Sequence, residues 1–371
     1  MSTITAKIQL YIPNDQVEIL FSTTKTYREA CNFLSGLVFT TKELNQRKLN
    51  DLYYYELRER FGLKSQMAQS VMKTVIARYK STQSNGHDWG LIKFKLPEYD
   101  LVWNRDYSLN QNLFSINTLG GRLKLRYEKQ GMQHFFDDHW AFGTAKLVHK
   151  HKKWFLYIPM TKEIPELEFT DVNNIVGVDL GINFLATTYD SQNKTTFYNG
   201  RTVKHKRGQY KALRKQLQRR QTPSARKRLK QIGSRENRYV IDVNHQITKA
   251  LVSKYPKGTL FVLEDLSGIR AATEKVCVQQ RYVSVSWAFY QFRQFLEYKA
   301  QLYGHQVIVI DPKYTSQACP KCGHVERGNR NKKMHTFECR NCSYRSNDDR
   351  IGAMNLYRKG IEYIGTVTTG V

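Results

Sequence analysis

The stretch "VGVDLGINFLATTYD", Val176 to Asp190, decides how the second half of this chain is read. Val176, Val178 and Leu180 mark an apolar strand face, and Gly177 and Gly181 flank a single acid, Asp179. An aspartate inside an apolar strand is costly to bury without a partner. Two readings fit it. The residue can cap a turn at the strand end, or its carboxylate can bind a metal aimed at a phosphate. The second reading requires partner acids at the ends of other apolar segments.

Such segments exist. "GTLFVLEDLSGI", Gly258 to Ile269, is an apolar strand ending in Glu264 and Asp265. "SNDDRIGAMNLYRKG" puts Asp348 and Asp349 at the start of a helix whose Ala353, Leu356 and Tyr357 can pack inward. An acid at a helix start is also explained by N-capping. "QVIVIDP", 306–312, is a further apolar strand, with Asp311 read as part of the turn before Pro312. With strands expected over 175–180, 184–189 and 195–199, the order is βββ–α–β–α–β–α. Acids then fall on the first strand, the fourth strand and the last helix. This is the plan of an RNase H-like nuclease, in which the acids converge on two divalent cations. One cation activates water and the other stabilises the leaving 3′ oxygen. Hard, oxygen-seeking Mg²⁺ suits an all-carboxylate site, with Mn²⁺ as a substitute.

Between the last strand and the last helix lie "CPKC" (Cys319, Cys322) and "CRNC" (Cys339, Cys342). The spacing C-x2-C-x16-C-x2-C is that of a zinc ribbon. Four thiolates leave no open coordination position, so this Zn²⁺ is expected to fold the module rather than catalyse. Cys31 and Cys277 fit no such pattern and read as small buried hydrophobes.

Composition points to a polyanionic partner. The chain has 371 residues, with 59 Lys and Arg against 32 Asp and Glu, a net charge of +27. Such an excess favours nucleic acid. The 23 Tyr and 18 Phe offer stacking surfaces, although most belong in cores. From Ser191 to Arg235 there is not one acid, while "KHKRGQYKALRKQLQRR" and "SARKRLKQIGSR" concentrate Lys and Arg. Tyr210, Leu213 and Leu217 form a helical stripe there, and "TPS" at 222–224 marks a turn. The tract reads as a basic helical hairpin lying on phosphates; a solvated charged face is the plainer alternative. No apolar run approaches a membrane span. The opening "MSTITAKIQLYIPND" alternates like a strand and lacks a signal peptide's apolar centre, so an intracellular, reducing setting is expected.

The first half divides by periodicity. Residues 1–13 read as a strand with Ile4, Ile8, Leu10 and Ile12 on one face. Three- and four-residue steps from Val17 through Leu20, Phe21, Tyr27, Cys31, Leu34 and Leu37 open a helical block over 14–90, closed by "STQSNGHD". "RLKLRYE", "GTAKLVHKHKK" and "WFLYIPM" return to strand character over 91–165. A small antiparallel barrel completed by the N-terminal strand is the natural reading, with "TKEIPELEFTDVNN" as linker. In "SWAFYQFRQFLEYKA", Trp287, Tyr290 and Phe295 sit at helical spacing and read as core, with base stacking as the alternative.

"VGVDLGINFLATT", "FVLEDLSGI", "YTSQACPKCG" and "CRNCSYRSNDDRIGAMNL" together resemble the RuvC-type core of TnpB, the transposon-encoded RNA-guided nuclease, and of its miniature type V CRISPR relatives. "RYVIDVNHQITKALV" and "SWAFYQFRQFLEYKA" resemble family segments too. The motif resemblance covers about 175 to 357; the first 165 residues match in layout alone. It implies a mixed α/β chain: an RNase H-like RuvC nuclease domain over 172–314 and 347–371, and a zinc ribbon inserted at 315–346. Ahead of these it implies a wedge β-barrel over 1–13 and 91–165, interrupted by a helical recognition block at 14–90.

By residue, the resemblance makes Asp179 the first catalytic, Mg²⁺-binding acid and Glu264 the second. The family pattern D-x-N-A-A-x-N aligns Asp349 as the third and Asn355 as the closing asparagine. The chain departs from it at Ile351 and Gly352, which leaves Asp348 as the alternative third acid. The activity implied is RNA-guided DNA cleavage beside a short flanking motif, by a monomer carrying guide RNA, in a prokaryotic cytoplasm near the nucleoid. Arg327, Arg330 and Arg345 in the ribbon can touch the scissile strand or simply be exposed. Competing expectations are a guide-free RNase H-like nuclease or transposase, a non-cleaving RNA-guided repressor, and a zinc-ribbon adaptor.

Overall fold

Alternation and helical periodicity separate into distinct layers in the computed structural model, which describes residues 2–110, 112–128, 136, 139–266, 288–332 and 334–369. Cys277 and Trp287 lie outside the described residues. The chain divides into two compact units, Met1–Glu163 and Ile164–Val371.

In the first unit, β1 (Ser2–Tyr11) turns Ala6, Ile8 and Leu10 inward. Ile12 falls beyond the strand, because Pro13 follows and has no N–H to donate to a ladder. Three helices come next: α1 (Asn14–Thr41), α2 (Gln46–Phe61) and α3 (Ser65–Ser84). Asn45 caps α2 by accepting from the N–H groups of Arg47 and Lys48, and Gly62 ends it in the left-handed region at φ 61°. The buried stripe of α1 is Leu20, Tyr27, Cys31, Leu34 and Val38; Phe21 and Leu37 stay partly exposed.

Seven further strands follow: β2 (Glu98–Leu101), β3 (Tyr107–Asn110), β4 (Leu113–Thr118), β5 (Gly121–Tyr127), β6 (Ala141–Phe142), β7 (Ala145–Lys150) and β8 (Lys153–Lys162). They join β1 in one antiparallel sheet of order β2-β7-β8-β1-β5-β4-β3, with β6 on β8. A bridge between Trp103 and Tyr107 links segments near the two ends of that order, and the sheet is barrel-like and nearly closed.

The second unit is built on a five-stranded sheet. Its strands are β9 (Asn174–Asp179), β10 (Phe184–Asp190), β11 (Thr195–Asn199), β12 (Thr259–Glu264) and β13 (Gln306–Ile310), in the order β11-β10-β9-β12-β13. The first three form an antiparallel meander, while β12 and β13 run parallel to β9. Parallel pairing needs long crossovers. These are α4 (Arg201–Arg220) with α5 (Pro223–Lys254), and then α6 (Phe289–Leu302). Thr222 caps α5 through its hydroxyl, with Pro223 in the first turn.

Both sheet faces are covered. Val176, Val178, Phe261 and Leu263 pack on Val240, Ile247 and Leu251 of α5 and on Phe292, Leu296 and Ala300 of α6. Phe292 and Leu296, rather than the 69%-exposed Tyr290, therefore form the inner face of α6. Leu260, Val262 and Ile308 face Leu356 on the opposite side. That side is covered by α7 (Asp348–Thr369). A Cβ on Gly177 would lie 2.1 Å from the Ala353 carbonyl oxygen, so only glycine lets α7 rest directly on β9. Between β13 and α7 a small sheet of β14 (Arg330–Asn331), β15 (Thr336–Glu338) and β16 (Arg345–Asn347) carries the four paired cysteines.

Candidate acidic cleft and cysteine centre

Strand geometry places the first two acids side by side. Leu263 on β12 is the register partner of Val178 on β9, so the next residues, Glu264 and Asp179, end neighbouring parallel strands. Alternation turns both away from the Val178–Leu263 layer and toward α7. Leu180 lies just past the strand end rather than within its face. The first turn of α7 supplies Asp349. Asp179, Glu264, Asp348 and Asp349 line one cleft of about 550 Å³, with Thr315, Arg330 and His335 on its walls. The carboxyl ends of parallel strands are a usual place for ligands in open α/β sheets.

Turn-capping does not account for Asp179. Strand-end aspartates that do cap turns are Asp190, whose Oδ1 accepts from the N–H groups of Gln192 and Lys194 at 3.1 and 3.0 Å, and Asp311, whose Oδ1 accepts from the Lys313 N–H at 2.9 Å. Burial, then the charges of Glu264 and Asp349, hold the Asp179 carboxyl well above the usual carboxylate range. Burial likewise raises Glu264, against a hydrogen bond from Thr315 and the charge of Arg330. Asp349 is raised by burial and by Asp348, against Arg330 and His335. Mutually repelling carboxylates with little hydrogen-bond support are a donor set that a divalent cation suits.

Asp348 and Asp349 have different surroundings. Asp348, 1% exposed, accepts from Arg330 Nε at 2.9 Å, and its Oδ1 lies 3.6 Å from His335 Nδ1. Arg330 keeps 3.9 Å from Asp349. Asn347 caps the helix: its Oδ1 accepts from the N–H groups of Asp349 and Arg350, both at 3.1 Å, and Asp348 Oδ1 shares the Asp349 N–H at 3.1 Å. Of the three ribbon arginines singled out by charge, Arg330 alone lines the cleft. Arg345 pairs with Glu338 at 2.6 Å, and Arg327 is exposed.

Of the other contributors, Asn355 was marked by the family pattern, while Thr315 and Asn183 carried no signal of charge or spacing. Thr315 donates to Glu264. Asn355 Nδ2 donates to the carbonyls of Thr315 and Ala318 at 2.7 and 2.8 Å, tying α7 to the segment before the ribbon. Asn183 reaches His335 Nε2 at 2.6 Å across the cleft.

The cysteine pairs form two facing turns. Gly323 N–H donates to the Cys319 carbonyl and Ser343 N–H to the Cys339 carbonyl, both at 2.9 Å. Gly323 and Ser343 take left-handed φ values of 75° and 55° to close these turns. The four sulfurs lie within 4.8 Å of one another, with Cys319–Cys342 and Cys322–Cys339 both at 3.6 Å. Tetrahedral zinc with bonds of about 2.3 Å needs sulfurs about 3.8 Å apart, so the set fits. Among the described residues this is the one group of three or more potential ligands gathered so closely; the cleft acids are spread more widely. A hydrogen bond from the His324 N–H draws the Cys322 thiol down to about 6. Cys319 and Cys339 pack on Phe337 and on Ile351 of α7, two residues beyond Asp349.

A mixed α/β unit with strand-end acids and a four-cysteine module is the class these features define. Comparison with known proteins agrees. Residues 289–356 match the family described as Cas12f1-like, TNB domain, and residues 157–267 match OrfB_IS605, described as a probable transposase. The Cas12f1 endodeoxyribonuclease of Sulfoacidibacillus thermotolerans is 28% identical over 63% of this chain and 57% of its own length. A TnpB-like protein of Methanocaldococcus jannaschii is 28% identical over 60% of this chain and 82% of its own. InsQ of Escherichia coli K12, named a putative RNA-guided DNA endonuclease, is 27% identical over 56% and 54%. A Cas12f1 chain solved with sgRNA and target DNA shares the fold at a TM-score of 0.64, with 13% identity over 94% of this chain and 83% of that one. The chain is thus similar, over parts of its length, to TnpB-like and Cas12f proteins. It spans about half the length of the Cas12f1 relatives it matches, 57% and 42%. No described helix is long and apolar enough to cross a membrane.

Proposed function

We propose that the chain is an RNA-guided DNA endonuclease whose second unit is an RNase H-like, RuvC-type nuclease core with an inserted zinc ribbon. The observation that carries this reading is the meeting of Asp179, Glu264 and Asp349 in one cleft at the ends of β9 and β12 and the start of α7. The names of the relatives point the same way. Asp179, Glu264 and Asp349 would hold Mg²⁺ or Mn²⁺. When bound, such ions activate water and stabilise the leaving 3′ oxygen.

The rest falls to the chain itself. Arg330 holds Asp348 in an ion pair at 2.9 Å and keeps farther from Asp349, which sets the two neighbouring acids apart. His335 and Asn183 close one wall of the cleft. The exposed Lys and Arg of α4 and α5 offer phosphate contacts for guide RNA and target DNA. Inside that hairpin the buried Glu236 is paired with Arg207 and Arg214, which ties the two helices together. In the first unit, the barrel and its helical insert take the wedge and recognition roles. Base pairing would read the target, and protein the short flanking motif.

The test is to express the chain with its native flanking DNA and sequence the RNA that co-purifies. A discrete RNA whose 3′ end programs Mg²⁺-dependent cutting of matched DNA, abolished by Asp179→Ala, is expected. Heterogeneous RNA with cutting of branched DNA would replace this reading with a guide-free nuclease.

A further inference from the structure

We infer that Thr315 is a positioning residue for Glu264: its hydroxyl orients one carboxylate oxygen so that the other is presented to a divalent cation. The inference rests on the carboxylate-centre reading above and extends it to the turn before the ribbon.

Thr315 is 2% exposed, and its hydroxyl faces two acceptors, Glu264 Oε1 and the Pro312 carbonyl at 2.9 Å. A hydroxyl has one proton to give. A carboxylate is the stronger acceptor of the two, since the bond is charge-assisted. The plainer role for Thr315 would be to close its own turn on Pro312. The surrounding backbone argues for more than that. Tyr314 takes a left-handed φ of 65°, an uncommon conformation for a bulky residue. Such strain persists where the surroundings over-determine it.

They do so here. The Tyr314 carbonyl accepts from the N–H groups of Gln317 and Ala318. Asn355 clasps the carbonyls of Thr315 and Ala318, and Lys359 Nζ reaches those of Asp311 and Lys313 at 2.8 and 3.0 Å. Asn355 and Lys359 lie on α7, the helix that also presents Asp349. One helix thus sets the third acid directly and the second acid through Thr315. Groups that hydrogen-bond a metal's ligands orient them, and losing one typically costs about 10–100-fold in metal affinity or activity.

The experiment is Mn²⁺ titration of the zinc-loaded full chain by calorimetry, without DNA, for the parent and for Thr315→Val, Thr315→Ser and Asp179→Ala. Thr315→Val keeps the shape and removes the proton. It is expected to weaken Mn²⁺ binding about 10-fold or more while its melting temperature stays near the parent's, and Thr315→Ser to restore binding. Thr315→Ala replaces the valine variant if that one does not fold. A valine or alanine variant that folds and binds Mn²⁺ like the parent overturns the inference. If Asp179→Ala also binds like the parent, the carboxylate centre itself is refuted. If only Asp179→Ala loses the ion, the centre stands and Thr315 merely closes its turn.

Discussion

Gly352 lies against Asp179: a Cβ at 352 would come within 2.9 Å of the Asp179 Cγ and 3.0 Å of its Oδ1. This is the position where the chain departs from the alanine of the family pattern, and the missing methyl gives the half-buried carboxylate room. Gly352→Ala should therefore turn Asp179 aside. Alanine is the better helix former by about 1 kcal/mol, so the fold should hold. The expected result is a several-fold fall in cleavage with a higher Mg²⁺ requirement and a little-changed melting temperature. Unchanged Mg²⁺ dependence would show that Asp179 accommodates the methyl freely.

The two neighbouring aspartates should separate in function. Asp349→Asn is expected to abolish cutting. Asp348→Asn keeps an acceptor for Arg330 and should retain much of it. Arg330→Ala leaves Asp348, 1% exposed, with His335 and the Asp349 N–H but without its guanidinium partner, a change that typically costs about 3 kcal/mol. Denaturant melts of the three variants, read beside cleavage rates, decide the assignment.

Raised carboxyl pKa values have a definite sign in stability. A group that holds its proton more tightly folded than unfolded is stabilising below its unfolded value, and that contribution is lost as pH rises through the folded value. Asp179 and Asp349 both shift upward. At neutral pH without divalent ions, Asp179→Asn should raise the melting temperature by about 2–4 °C. Added Mg²⁺ should stabilise the parent but not the variant. Cleavage should fade on the acid side at a pH above the ordinary carboxylate range, as protons displace the metal.

Zinc should hold the last helix in place. Ile351 on α7 is buried against Cys319 and Cys339. Cys319→Ser should drop bound zinc from about one per chain and expose this cluster. Activity should fall with folding. Full activity in protein shown by elemental analysis to lack zinc would refute the ribbon's structural role.

Charges on the basic hairpin should behave as phosphate contacts. Lys215, Arg219 and Lys227 are exposed on α4 and α5. Each alanine substitution should weaken RNA binding and flatten the log–log salt dependence by about 0.7–0.9, one released counterion per lost contact. An unchanged slope would make the run a solvated face.

Some of this was legible from residues alone. The five core strands and the crossover helices of the second unit follow from apolar runs and helical stripes, because periodicity reports which side of an element is buried. The cysteine spacing likewise specified four thiolates, since a two-residue gap closes one tight turn whatever surrounds it. Short strands such as β3 and β6 were not legible, because their pairing depends on partners distant in the chain. The inner face of α6 was misread at Tyr290, since aromatic spacing does not say which side meets the sheet.

Local pattern thus located most of the elements, the candidate acids and the thiolates. Tertiary structure decided their relations. Leu263 pairing with Val178 set Glu264 beside Asp179. The bare Gly177 let α7 come close enough to bring Asp349 to them. Arg330 and Thr315 took their partners from segments 18 and 51 residues away. Hydrogen bonds and close approach depend on distance in space, and a one-dimensional pattern carries that distance only within a turn or a strand.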